Sequence, residues 1–228
     1  MKSIKFEDPQ EALTRLLDAI SIKNPSLSNA ILVVIGVESI VIAEQMAQRL
    51  KIPMEFLFTE IIAAPLNAEC AIAIVSEDME IVANESLINA FSISLDYVYG
   101  EAQRKYEEDI LQYRYQFRKG EMIGSLKGKD VILMDLGIET GLRANVAIKT
   151  CMNMGAKSVS IASPVMPKTI FDTLSEICDE VYCVYALEHY VSTAHYFPNL
   201  QPIEDEQFEE ILSRHLTTKG KTNAANPS

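Results

Sequence analysis

The stretch from Asp130 to Ile148 constrains the fold of this chain more than any other. Val131 to Met134 is a short apolar run with β-branched residues, the pattern of a strand buried on both faces. Asp135 ends the run, and Gly137 and Gly141 bracket a tight turn. Beyond Gly141, Leu142, Val146 and Ala147 fall at helical spacing. An acid thus stands at the end of a strand, and a glycine turn opens a helix. In open α/β sheets ligands bind at that edge, and the free N–H groups of a helix start favour anions, phosphate above all. An ordinary strand–turn–helix crossover gives the same pattern, so the turn alone does not fix a function.

The rest of the chain repeats this alternation. Asp8, Pro9 and Glu11 open a helix with Ala12, Leu16, Leu17 and Ile20 on one face. Ala30 to Val37 is a central strand, Gly36 to Ser39 a turn, and Ile40 to Leu50 a helix with Ala43 and Ala47 inward. Met54 to Phe58 is the next strand, completing a βαβ unit whose crossover is right-handed. Cys70 to Val75 and Glu80 to Ala83 are expected to form a hairpin added to the main sheet, followed by a short helix capped by Asn84 or Ser86. Ser94 to Arg118 is the longest helical pattern, and 120–128 is expected to be a mobile loop. Ser158 to Ala162 and Val181 to Tyr185 are further strands, with a turn at Pro164 and Pro167 and a helix over Ile170 to Ile177. Ala186 to Leu200 reads as a surface segment, Asp205 to Leu216 as a last helix, and 217–228 as a disordered tail. The expectation is one α/β domain over 1–216, a doubly wound, mostly parallel sheet with a small hood from 58–84 and 186–200.

Charge and cysteines narrow the functions. The 228 residues carry a formal net charge of -12, which disfavours nucleic acid and anionic membranes as partners. The cations and aromatics interleaved from Tyr113 to Lys119 would suit base stacking, but the acidity outweighs them. Cys70, Cys151, Cys178 and Cys183 form no Cys-x-x-Cys pair, and no His lies at zinc-ligand spacing from them. Reduced thiols, a cytoplasmic location and no metal held by protein side chains are expected. No apolar run reaches the ~18 residues of a membrane helix.

The central stretch resembles the signature of the type I phosphoribosyltransferases: a strand, two acids, then Gly-x-Ala-Thr-Gly opening a helix. Asp135, Gly137, Thr140 and Gly141 match it, while Leu136 replaces the second acid and Glu139 the alanine. The resemblance runs from about Phe6 to Leu216, and is greatest to uncharacterised bacterial phosphoribosyltransferase-like proteins. Ala64, Pro65, Asn67, Glu69, Ala71 and Ile72 fit one of their segments. Ser163 to Pro167 and Asp179 to Val181 fit others. The resemblance implies binding of phosphoribosyl pyrophosphate with Mg2+, and a homodimer. Asp135 would contact ribose, as the catalytic residue. Gly137, Glu139, Thr140, Gly141, Leu142 and Arg143 would cradle the 5′-phosphate. Val37, Glu38 and Ser39 would stand at the pyrophosphate turn. There, however, the family's Arg-Gly-Gly is lost, and Glu60 and Ile61 replace a basic pair. Arg143 is a gain, a guanidinium in the first turn of the phosphate helix. Three functions follow: a binding protein for ribose 5-phosphate or a nucleotide with transfer weak or lost, an active transferase acting on an unknown nucleophile, or a non-catalytic dimeric interaction module.

Overall fold

The structure, a computed structural model, describes residues 4–6, 8–23 and 27–222. A five-stranded parallel sheet is its centre. The first unit consists of α1 (Pro9–Lys23), β1 (Ala30–Val34), α2 (Ile40–Leu50) and β2 (Met54–Phe56). A second sheet follows, β3 (Thr59–Ala64), β4 (Asn67–Ser76) and β5 (Ile81–Ala83), and then the helices α3 (Glu85–Ala90), α4 (Leu95–Lys105) and α5 (Leu111–Arg118). The chain returns to the main sheet with β6 (Asp130–Met134), α6 (Leu142–Asn153), β7 (Ser158–Pro167), α7 (Lys168–Ile177) and β8 (Glu180–Leu187). It closes with the short α8 (Thr193–Tyr196) and with α9 (Asp205–Thr222). The main sheet has the order β2-β1-β6-β7-β8, all pairs parallel. As expected, β1 and β6 are adjacent and neither is an edge, with Val34 paired to Met134.

Alternation along these strands explains the double winding. Leu32, Val34, Ile132 and Met134 join one core with α1, α2 and α9, while Ile31, Val33, Val131 and Leu133 join the other with α6 and α7. Successive side chains of a strand face opposite ways, so an unbroken apolar run must be covered on both sides.

Several expectations need correction. β1 stops at Val34, and Val37–Ser39 is a single 3-10 turn. The 67–83 hairpin does not extend the main sheet. With β3 it forms a separate antiparallel sheet packed against α4 and α6. β7 runs through Pro164 to Pro167, pairing Val165 with Tyr185 and Met166 with Ala186, since proline fits a strand where its missing N–H is not needed. The 186–200 segment is not merely surface: Tyr196 and Phe197 are buried, and Phe6 stacks on Phe197 at 5.0 Å.

At the C-terminus α9 continues to Thr222, so the tail expected from 217 begins with helix, and 223–228 lie outside the described residues. The loop at 120–128 is anchored. Ile123 and Leu126 are buried, and the Ile123 N–H donates to Glu77. The helix pattern from Ser94 to Arg118 is one continuous rod, α4 and α5 joined through a π-helical turn at Tyr106–Ile110. Asn84 and Ser94 cap α3 and α4, accepting from the N–H groups of Leu87 and Tyr97.

Candidate functional site at the switch point of the sheet

From β1 the chain moves outward to β2, whereas β6, β7 and β8 extend the other way. The gap between the carboxyl ends of β1 and β6 is therefore the topological switch point, where open α/β sheets bind ligands. Two turns meet there, Gly36–Ser39 after β1 and Asp135–Gly141 after β6.

Asp135 is their junction and is 8% exposed. The Ser39 hydroxyl donates to its Oδ1 at 2.9 Å and accepts the Leu136 N–H at 2.9 Å. A Cβ on Gly36 would lie 2.5 Å from Asp135 Oδ1, so only glycine leaves room for the carboxylate. Arg143 Nη1 stands 3.9 Å from Asp135 Oδ2. Burial pushes the Asp135 carboxyl above its ordinary range, against the opposing pull of Arg143, Ser39 and the Gly137 N–H, and Glu38 adds to the rise.

The turn itself has the shape an anion needs. Gly141 caps α6 at φ +77°, a left-handed conformation that glycine adopts without strain. The amides of Glu139, Thr140 and Gly141 have no acceptor among the described residues, and the Leu142 N–H makes only a long bond of 3.4 Å to Thr140 Oγ1. Over this turn lies the 190–200 segment. A Cβ on Gly137 would fall 2.2 Å from Thr193 Oγ1, so the two segments are in contact. Glu139 Oε1 accepts the Thr193 N–H at 2.7 Å, and Tyr190 and Thr193 share a hydrogen bond. The carboxylate in the family's alanine position thus ties down the covering segment. That segment and the two turns enclose a cleft of about 440 Å³.

The expected site residues separate into two groups. Asp135, Gly137, Glu139, Arg143 and Glu38 line the cleft, and Thr140 is exposed at its turn. Ser39 is fully buried, its hydroxyl spent on Asp135 and Leu136. The Leu142 side chain packs with Ile74 and Val146. Val37 lines a neighbouring hollow together with Glu38 and Arg143. Thr193 and Phe197 also line the cleft and were not among the expected site residues. The Tyr196-Phe197 pair is visible in the sequence, but nothing local tells that it folds over a turn more than fifty residues earlier.

Magnesium finds few donors here. Among the described residues there is no group of three or more His, Cys, Asp or Glu side chains able to hold a metal. Of the carboxylates lining the cleft, Asp135 has one oxygen bonded by Ser39 and the other facing a guanidinium, Glu139 accepts the Thr193 N–H, and Glu38 remains, while Leu136 supplies nothing. Such a set could hold magnesium only together with phosphate oxygens of a ligand, since the ion takes one or two carboxylates plus substrate phosphates. The four cysteines are free, and no described helix is long and apolar enough to cross a membrane.

No protein-family model matches the chain. Over 214 residues, 92% of its length, it is 25% identical to a Mycobacterium tuberculosis protein that bears a provisional name as a phosphoribosyl transferase, in the strains CDC 1551 / Oshkosh and H37Rv alike. The chain spans only 46% of those relatives' length. Among solved structures, that of TT1426 from Thermus thermophilus shares its fold, with a TM-score of 0.72 and 23% identity, covering 92% of this chain and 98% of that one.

Proposed function

We propose, on the premise that this chain belongs with the type I phosphoribosyltransferase-like proteins, that it binds a ribose 5-phosphate or nucleotide at the 135–143 turn and transfers phosphoribosyl groups weakly or not at all. The observation that carries this reading is the asymmetry of the cleft. One side offers Glu139 and the Arg143 guanidinium, with the unpartnered amides of Glu139, Thr140 and Gly141 in the turn between them. A single phosphate suits these groups. The other side offers Glu38 where a departing pyrophosphate would need cations, and Ser39 is buried and spent on Asp135. Asp135 remains for a ribose hydroxyl, while Leu136 is 1% exposed and apolar. Any magnesium would have to arrive on the ligand's own phosphates.

Titration calorimetry tests the reading, with phosphoribosyl pyrophosphate and nucleoside monophosphates, each with and without magnesium. Monophosphate binding without pyrophosphate release is the expected result. Tight, magnesium-dependent binding of phosphoribosyl pyrophosphate with release of pyrophosphate would reinstate an active transferase, the reading that kinship to the provisionally named relatives supports. Absence of binding by every phosphate ligand would leave a non-catalytic interaction module. A cytoplasmic homodimer remains part of the proposal, and sedimentation at micromolar concentration checks its stoichiometry.

A further inference from the structure

Beside the phosphate turn, on the β2 side of Glu38 and Arg143, lies a second hollow of about 240 Å³. Its walls are aromatic. Phe56 and Phe58 come from the end of β2 and just beyond it, Tyr113 and Phe117 from α5, and Phe208 from α9. Phe208 meets Phe56 and Phe117 edge-on at 4.9 and 5.0 Å, and Phe56 lies 5.4 Å from Phe58. One of these rings already carries a cation on a face, the Arg118 guanidinium 4.3 Å from the Phe58 centroid.

Three acids, Glu38, Glu60 and Asp205, line the hollow beside the neutral polar side chains of Thr59, Tyr113 and Gln116. Arg143 is the only basic side chain lining it among the described residues, and it faces Asp135. Glu60 is the deepest of the acids, its side chain 20% exposed. Lys105 approaches it at 3.6 Å but closes on Asp109 at 2.6 Å, and the nearby Tyr113 hydroxyl favours its charged form. Burial raises the Glu60 carboxyl above its ordinary range, with Lys105 opposing and Asp109 adding to the rise. A carboxylate drawn into an aromatic pocket lacks a full-strength counter-charge.

Three kinds of occupant compete. A polyanion meets three carboxylates. A neutral apolar group would deepen the burial of a carboxylate whose cation, Lys105, stands off at 3.6 Å, which costs free energy. A protonated amine satisfies both features at once, donating charge-assisted hydrogen bonds to Glu60 while its positive charge lies against ring faces. We propose that this hollow binds the ammonium end of a small organic amine, an alkyl- or arylalkylammonium, held by Glu60 and the rings of Phe58, Phe117 and Phe208. The proposal does not depend on the phosphate reading, because its probe carries no phosphate.

The test is calorimetric titration of the full chain with benzylammonium at neutral pH, set against benzyl alcohol, a neutral molecule of nearly the same shape. Benzylammonium is expected to bind at least about tenfold more tightly, the size of one charge-assisted hydrogen bond. Glu60→Gln should abolish that preference, with circular dichroism unchanged. Phe117→Leu, which keeps Glu60, should weaken benzylammonium binding about threefold through loss of a ring face. Equal affinity for the two probes, no binding of either, or a preference that survives Glu60→Gln would overturn the proposal.

Discussion

Replacing Ser39 with alanine probes the junction on which the candidate site stands. The hydroxyl makes two bonds in a fully buried place, donating to Asp135 Oδ1 and accepting from the Leu136 N–H, each at 2.9 Å. Alanine removes both. A buried N–H left without an acceptor costs about 1–3 kcal/mol, and a bond to a carboxylate is worth about 1.5–3 kcal/mol. Both rest on one oxygen, so they do not simply add, and about 3 kcal/mol is expected. For a chain of this size that lowers Tm by roughly 6–12 °C. The loss should depend on pH. The folded pKa of Asp135 is raised, first by burial and further by Glu38, against Arg143, Ser39 and the Gly137 N–H. Its contribution to stability is therefore fully present below the unfolded value, about 3.9, and is lost as pH rises through the folded pKa. Ser39→Ala removes one of the groups that lower that pKa, so the fall in stability with rising pH becomes larger. Urea unfolding of both proteins across the acid range measures this. The gap should be smallest in acid, where only the Leu136 N–H share remains, and widest near neutrality. A variant within about 0.5 kcal/mol of the parent at every pH, the ordinary spread of surface changes, would refute the bridging role.

Other substitutions test neighbouring contacts. Gly36→Ala keeps an ordinary extended backbone, φ -122°, but drives a Cβ to 2.5 Å from Asp135 Oδ1, and should cost about 1–3 kcal/mol by thermal unfolding. Arg118 is 3% exposed and pairs with the fully buried Glu77, both carboxylate oxygens lying 2.7 Å from Nη2. Arg118→Ala should cost about 3–5 kcal/mol in urea unfolding, whereas the double change Arg118→Met with Glu77→Gln should cost much less, because no charge is stranded. Arg143→Ala should weaken nucleoside monophosphate binding about tenfold or more by calorimetry; an unchanged affinity would make Arg143 a partner of Asp135 alone.

Much of this fold is written locally. Ala30 to Val34 and Val131 to Met134 had to be interior strands, because an apolar run too short for a helix and bounded by turns buries itself only between two layers. Asp135 and Gly141 declared a strand end and a helix start, since a charge is costly inside a buried run and glycine is costly inside a strand or helix but free in a turn. The family resemblance extended this to the whole sheet. Contacts between distant segments were not legible. Periodicity records which face of an element is buried, not against what, so the 67–83 hairpin was joined to the wrong sheet and Arg118 read only as one of several cations interleaved with aromatics. Its burial depends on Glu77, forty-one residues earlier in the chain. Thr193 closing on Gly137 and Glu139, and five rings from β2 and its end, α5 and α9 sharing one hollow with Glu60, arise only when crossovers bring separate elements together. Sequence patterns thus determined the strands, the helices and the edge where a ligand docks. The depth of Asp135, the orientation of Glu139 and the walls of the cavities were decided by tertiary packing, because burial, desolvation and charge pairing belong to assembled neighbours rather than to any one stretch of chain.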